Sequence, residues 1–168
     1  MKAITLIQPW ATLVAIGEKK IETRSWTTDY RGPLAIHAAK GMPAAARDAA
    51  SSEPIYSVLR KAQYTTRIEL KTHKLFYEEQ RWLPSGMIVA TCELVKCIPI
   101  DSIPGTWTYR EWGSIRIPPD EPELSFGDYR PGRYAWIFRD VQMLEIPISA
   151  KGALGLWNLD WDKGYGHG

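Results

Sequence analysis

The sequence predicts a mainly β, α+β domain: a small, partly open β-barrel with helices alongside it. Three observations point there. Short runs of β-branched and aromatic residues recur along the chain, separated by turn chemistry such as Tyr30-Arg31-Gly32-Pro33 and Pro84-Ser85-Gly86. Helical periodicity is confined to a short stretch between the first two strands and a longer one within residues 41–84. Short strands are many and helices few, and the Rossmann reading is set aside because no dinucleotide fingerprint is present.

Lys2 to Ile7 alternates weakly and reads as the first strand. Pro9 suits the first turn of a short helix, where its missing N–H has no partner to lose, and Trp10, Leu13, Val14 and Gly17 follow at helical spacing. Gly17 is the natural stop. Lys20 to Trp26 is expected as the second strand. Leu34 to Ala39 is the third, apolar on both faces and therefore expected at the centre of the sheet. Met42 to Ala50 is alanine-rich, and Ile55 to Gln80 combines helical periodicity with good helix formers, so 41–84 is expected to be a helical insert of two or three helices. A long strand, Met87 to Ile98, follows. Residues 99–131, rich in Pro, Gly and Trp, read as an ordered excursion. Arg133 to Arg139 and Val141 to Ile148 are expected as the last strands, and Leu154 to Trp161 as a closing segment. The whole of 1–168 is expected to form a single domain.

Composition excludes several functions. An apolar fraction of 45% fills an ordinary globular core, and a net charge of +2 is too small for wrapping a long duplex by phosphate neutralisation. A local basic groove for a short strand or one nucleotide is compatible with it. Eight Trp and eight Tyr supply core and interface rings, and nucleobase-stacking sites draw on the same residues. Cys92 and Cys97 lie at odd spacing in one expected strand, so they face opposite ways and do not pair; a reduced cytoplasmic protein is expected. The run Ala3 to Gly17 imitates a secretory core, but Gln8-Pro9 interrupts it and no small-residue cleavage site follows. No segment is apolar enough over sufficient length to span a bilayer.

The most informative stretch is Gly17-Glu18-Lys19-Lys20-Ile21-Glu22-Thr23-Arg24. Charges this dense beside apolar Ile16 and Trp26 are costly unless paired or facing a ligand, so the stretch marks either a structural ion-pair cluster or the floor of a polar pocket. On a regular strand Lys20, Glu22, Arg24 and Trp26 share one face and Ile21, Thr23 and Ser25 the other. Glu22 and Arg24 are placed to pair, leaving Lys19 in the preceding turn free to point into the same cavity. Trp10 and Trp26 flank the charges.

Gly17, Lys19, Glu22 and Arg24 match Gly-x-Lys-x-x-Glu-x-Arg, and with this motif the chain resembles the ASCH domain family, whose fold is PUA-like. The likeness to bacterial ASCH proteins continues through Gln8-Pro9-Trp10-Ala11, the block Tyr30 to Lys40, Gly86 to Ala90, Phe126-Gly127-Asp128-Tyr129, Pro131 to Trp136 and Gly152 to Trp157. The resemblance implies a PUA-like barrel whose cleft holds RNA or a nucleoside. In that reading Lys19 and Arg24 contact phosphate or a base carbonyl, Glu22 orients them, and Trp10 or Trp26 offers a stacking face. Some ASCH members look like amidohydrolases acting on acetylcytidine, and others have been suggested to cut single-stranded RNA. The amidohydrolase branch uses the motif lysine, here Lys19, a threonine where this chain has Glu22, and a downstream glutamate best matched by Glu123. The chain departs at the threonine, so hydrolysis would have Glu22 or Glu123 position a water while Lys19 stabilises the oxyanion or serves as base. A protein-interaction module docking through the insert is a further alternative.

Tyr129, Arg130, Arg133, Tyr134 and Trp136 form a second constellation, with arginines beside aromatics as phosphate contact and base stacking require. Trp136 reads as core, while Arg133 is expected to reach Glu22 or a phosphate. His37, in an apolar strand, reads as a hydrogen-bonded core histidine, although Arg31 and Lys40 at the strand ends point that edge toward the cleft. His73 and His167 carry no evident chemistry. No cofactor or metal is expected: three scattered histidines and two unlinked cysteines make no zinc pattern, and Asp120, Glu121 and Glu123 read as a solvated loop.

Overall fold

The computed structural model describes residues 1–65, 81–100, 110–112, 115–117 and 119–160. In chain order the elements are β1 (Lys2–Leu6), α1 (Trp10–Ala15), β2 (Ile21–Arg24), β3 (Gly32–Ala38), α2 (Ala44–Ala50), α3 (Ile55–Lys61), β4 (Tyr64–Thr65), β5 (Arg81–Trp82), β6 (Met87–Ile100), β7 (Arg110–Trp112), β8 (Ile115–Ile117), β9 (Arg133–Ser149) and β10 (Leu156–Asn158). A 3₁₀ turn spans Glu123–Phe126. Six strands form the main sheet in the order β10-β1-β3-β6-β9-β2. β1 and β3 are parallel, with Lys2 opposite Leu34 and Leu6 opposite Ala38, and the remaining neighbours are antiparallel.

The helix α1 is the packing centre. Ala11, Thr12, Leu13, Val14 and Ala15 are all buried, so it is covered on every side instead of lying on a surface. Ala11, Val14 and Ala15 join Ile4, Leu6, Leu34, Ile36, Leu94, Trp136 and Phe138 in the main cluster. Leu13 turns to a second cluster with Ile55, Leu59 and Phe126, which ties α3 and the 3₁₀ turn to the same helix. Each such fully buried Leu, Ile or Phe contributes about 1.5–3 kcal/mol of transfer free energy.

The expected barrel is an open sheet among the described residues, with β10 and β2 as its edges. It is nonetheless strongly curled. The Arg24 guanidinium on edge strand β2 donates from Nη2 to the Thr5 carbonyl of β1 at 2.9 Å, so one side chain crosses the seam that no backbone ladder closes. The long strands β6 and β9 supply the curvature: their pairing shifts register between Ile88 and Ala90, Thr91 and Glu93, and Leu94 and Lys96. The two strands expected over 133–148 are therefore one bent strand, with Asp140 at φ 50° where the sequence suggested a break.

The helix α3 ends at Lys61, short of the periodicity expected from Ile55 to Gln80. Gln63 adopts φ 62°, a left-handed position that stops a helix, and Tyr64–Thr65 then pairs in parallel with Arg81–Trp82. The rest of that stretch, His73 included, lies outside the described residues, as does His167. Within the Pro- and Trp-rich excursion, of which 101–109, 113–114 and 118 lie outside the described residues, β7 and β8 pair antiparallel. No helix among the described residues is long and apolar enough to cross a membrane.

Candidate functional site

Gly17 makes the site possible. Its φ of 79° is left-handed, and the turn it forms returns the Glu18 and Lys19 amides to the Leu13 carbonyl at 3.0 and 2.9 Å. The chain then enters β2 with Lys19 aimed inward. Its side chain is 0% exposed. The ammonium donates to the Ile21 carbonyl at 2.5 Å and to the Phe126 carbonyl at 2.8 Å, and Glu22 Oε2 lies 3.6 Å away. Burial pushes the Lys19 pKa below the ordinary lysine value, opposed first by Glu22 and then by Glu123. Lys19 is thus not free in a cavity: its donors point at two main-chain oxygens and one carboxylate.

Glu22 and Arg24 pair as the strand face required, with Arg24 Nε 3.2 Å from Glu22 Oε1. Glu123 arrives from the 3₁₀ turn and accepts from the Lys20 and Ile21 amides at 2.8 and 3.1 Å, one on each carboxylate oxygen. Burial raises its pKa above the usual carboxylate value, while those two N–H groups and Lys19 pull the other way. The structure therefore brings Lys19, Glu22, Arg24 and Glu123 into one cluster. Tyr129 joins them unexpectedly. It is buried, and its pKa is raised by that burial and then by the nearby Glu123 and Glu22 charges.

Arg133 goes elsewhere than to Glu22. Its Nη2 donates to the Thr23 carbonyl at 3.1 Å and its Nε lies 3.5 Å from Asp128 Oδ2. Asp128 also takes a two-pronged contact from Arg130, whose guanidinium holds the Asp128 carboxyl down at about 2. The Thr23 hydroxyl accepts from the Asp128 amide at 3.0 Å. Both flanking tryptophans are half-buried in packing: Trp10 against the Leu13–Phe126 cluster, and Trp26 edge-on to Trp136 with ring centroids 4.6 Å apart. Trp136 is fully buried, as expected of a core residue, and donates from Nε1 to the Trp26 carbonyl at 3.3 Å.

A cavity of about 660 Å³ opens where the end of β3, the turn before β6 and the β9–β10 connection meet. Its walls include Thr5, His37, Lys40, Ser85, Lys151 and Leu154. Thr5 links it to the motif, since its carbonyl accepts from Arg24 while its hydroxyl donates to the Ala153 carbonyl at 2.9 Å. The sequence signalled this place only through Lys40 and His37; that Lys151 would return to the same spot needed the course of β9. Among the described residues no group of three His, Cys, Asp or Glu could hold a metal ion. The buried Cys92 thiol is pushed up to about 12, an inert thiol at neutral pH.

The chain resembles known proteins in one consistent way. The profile of the ASCH domain matches residues 4–147. Activating signal cointegrator 1 of Mus musculus is 24% identical over 157 residues, covering 94% of this chain and 22% of its own length, and that of Homo sapiens aligns with the same values. The chain thus spans less than a quarter of the length of these relatives. Both are mammalian, so the likeness to bacterial members says nothing of this chain's source. With the Gly17, Lys19, Glu22 and Arg24 constellation assembled at the seam of the sheet and the profile spanning residues 4–147, this chain belongs to the ASCH domain family.

Proposed function

We propose that this ASCH domain binds single-stranded RNA or a nucleoside, with the motif cluster as the scaffold of the binding face. The observation that carries this reading is the pairing of Lys19: a fully buried ammonium aimed at two carbonyls and a carboxylate presents no group to a substrate. Arg24 in this cluster and Arg133 beside it stay partly exposed, at 25% and 27%, and are the groups we assign to a phosphate. Net charge of +2 suits a short single strand.

The test is titration of a fluorescein-labelled short oligouridylate, with a duplex of equal length alongside. Saturable binding of the single strand that weakens with salt, and recovery of the strand intact, is the expected result. Absence of binding at low ionic strength, with the protein shown to be folded, overturns the reading.

Hydrolysis of an acylated cytidine is the second reading, favoured by one observation: a lysine of lowered pKa beside Glu22 and Glu123. Incubation with acetylcytidine is expected to leave it unchanged relative to buffer. Turnover would require Lys19 to leave its carbonyl partners and would replace the binding account with an amidohydrolase.

A further inference from the structure

The cavity beside Thr5 has the chemistry of a ligand pocket, and it lies apart from the motif cluster. None of Lys19, Glu22, Arg24 or Glu123 lines it. Two lysines, Lys40 and Lys151, line it, and among the described residues no Asp or Glu does. A recess with that balance takes an anion. Its volume of about 660 Å³ is far more than a lone anion fills and falls within the range of small-molecule sites. Thr5, Ser85 and Ser149 add hydroxyl-bearing residues, and Ala39, Ala150, Ala153 and Leu154 make the apolar part of the wall, Leu154 being 99% exposed and so uncovered by any described part of the chain.

The floor is His37, which is 2% exposed. Its Nε2 faces the Ala150 carbonyl at 3.1 Å; a carbonyl only accepts, so Nε2 carries the proton and Nδ1 is left as an acceptor. Nδ1 is buried without a hydrogen-bond partner among the described residues. Gly152 rests on that ring edge so closely that a Cβ there would stand 2.5 Å from Nδ1 and 2.4 Å from Cε1. The connection over 150–154 is held there by the His37–Ala150 contact, by the Ala150 amide on the Gly86 carbonyl at 3.1 Å, by the Thr5 hydroxyl on the Ala153 carbonyl at 2.9 Å and by the close approach of Gly152. For a ligand donor to reach Nδ1 this connection would have to shift outward.

We infer that this cavity receives one nucleotide unit, its phosphate between Lys40 and Lys151, its ring against Leu154 and Ala153, and a base amino group directed at His37. The inference deepens the RNA-binding reading and rests on it. The nucleotide is either free or one residue of a single strand, and Thr5, shared with Arg24, is where the strand would pass from the cavity to the motif face.

The experiment compares wild type with a Lys40→Gln/Lys151→Gln variant. Both side chains are exposed, so folding is expected to be unaffected, and thermal melting checks this. Amide chemical shifts are followed while cytidine 5′-monophosphate is added, and oligouridylate affinity is measured as a function of salt. Shifts at Lys40, Gly86, Lys151 and Gly152 in the wild type are expected. The variant should lose about tenfold in oligonucleotide affinity, with a salt slope shallower by about 0.7, the release expected for one phosphate contact on a single strand. If the mononucleotide moves these amides but the variant binds the oligonucleotide normally, the cavity serves free nucleotides alone and the strand path fails. Equal oligonucleotide binding by both proteins without cavity shifts overturns the pocket and leaves RNA binding standing. Identical shifts with inorganic phosphate overturn the nucleotide assignment, and failure of both probes to bind wild type removes pocket and RNA reading together.

Discussion

A lysine ammonium out of contact with water persists only where its donors are matched, and Lys19 is matched largely by backbone. Removing it strands the Ile21 and Phe126 carbonyls and leaves Glu22 a largely buried charge with Arg24 as its salt-bridge partner among the described residues. Lys19→Ala is therefore expected to lower unfolding free energy by about 3–5 kcal/mol, measured by urea denaturation, whatever the function of the protein. Lys19→Met with Glu22→Gln should recover part of that loss, because it removes both charges and keeps the volume. An unchanged urea midpoint in Lys19→Ala would show that the cluster contributes little to stability. The sequence correctly placed Glu22 and Arg24 on one strand face, since alternation alone decides that. It could not show where the lysine points, because carbonyl acceptors leave no trace in residue identity. The same blindness applies to Glu123: the residues alone read it as part of a solvated loop, only the family resemblance linked it to the motif, and its engagement with two amides of β2 stayed hidden.

At the scale of elements, the 3₁₀ turn acts as a clamp on β2. That strand is an edge, and unpaired edges invite pairing with other chains. Glu123 occupies the Lys20 and Ile21 amides, the Phe126 carbonyl takes Lys19, and Thr23 holds the Asp128 amide, so side chains cover part of what a seventh strand would have covered. Glu123→Ala should cost about 1–3 kcal/mol and accelerate hydrogen exchange selectively at Lys20 and Ile21. Exchange unchanged at those two amides would refute the clamp. Gly127 sits in the same clamp: a Cβ there would lie 2.7 Å from the Tyr129 ring, so Gly127→Ala is expected to destabilise by roughly 1–3 kcal/mol in the same denaturation assay. Element positions were legible wherever period and turn chemistry agreed, as for β1, α1, β2 and β3. They were not where a single backbone angle decides. Gln63 ends a helix whose periodicity continues, and Asp140 bends β9 without breaking its ladder to β6.

For the molecule as a whole, acid sensitivity follows from the His37 region. The unfolded chain titrates this imidazole near its ordinary value of 6.5, whereas burial lowers the pKa in the fold, offset by the Ala150 contact. The unfolded state thus binds more protons below pH 6.5, so this contribution to stability is complete above that value and is lost as pH falls through the lower folded pKa. Asp128 stays outside that window, since Arg130 keeps it ionised down to about 2. A His37→Gln variant should show a flatter melting temperature below pH 6.5 than wild type, each kcal/mol appearing as about 2–4 °C. Parallel curves would assign the acid loss to other groups. The pairing of β1 with β10 has a different consequence, one of timing. Lys2 lies opposite Asn158, so the first strand of the sheet in chain order waits for the last. Until Leu156 to Asn158 emerges, one row of β1 amides and carbonyls stays open, and contacts of such long sequence separation form slowly. The sheet of this domain is therefore complete only once Leu156 to Asn158 is in place, and chains ending short of Leu156 are set to pair with one another through the vacant side of β1.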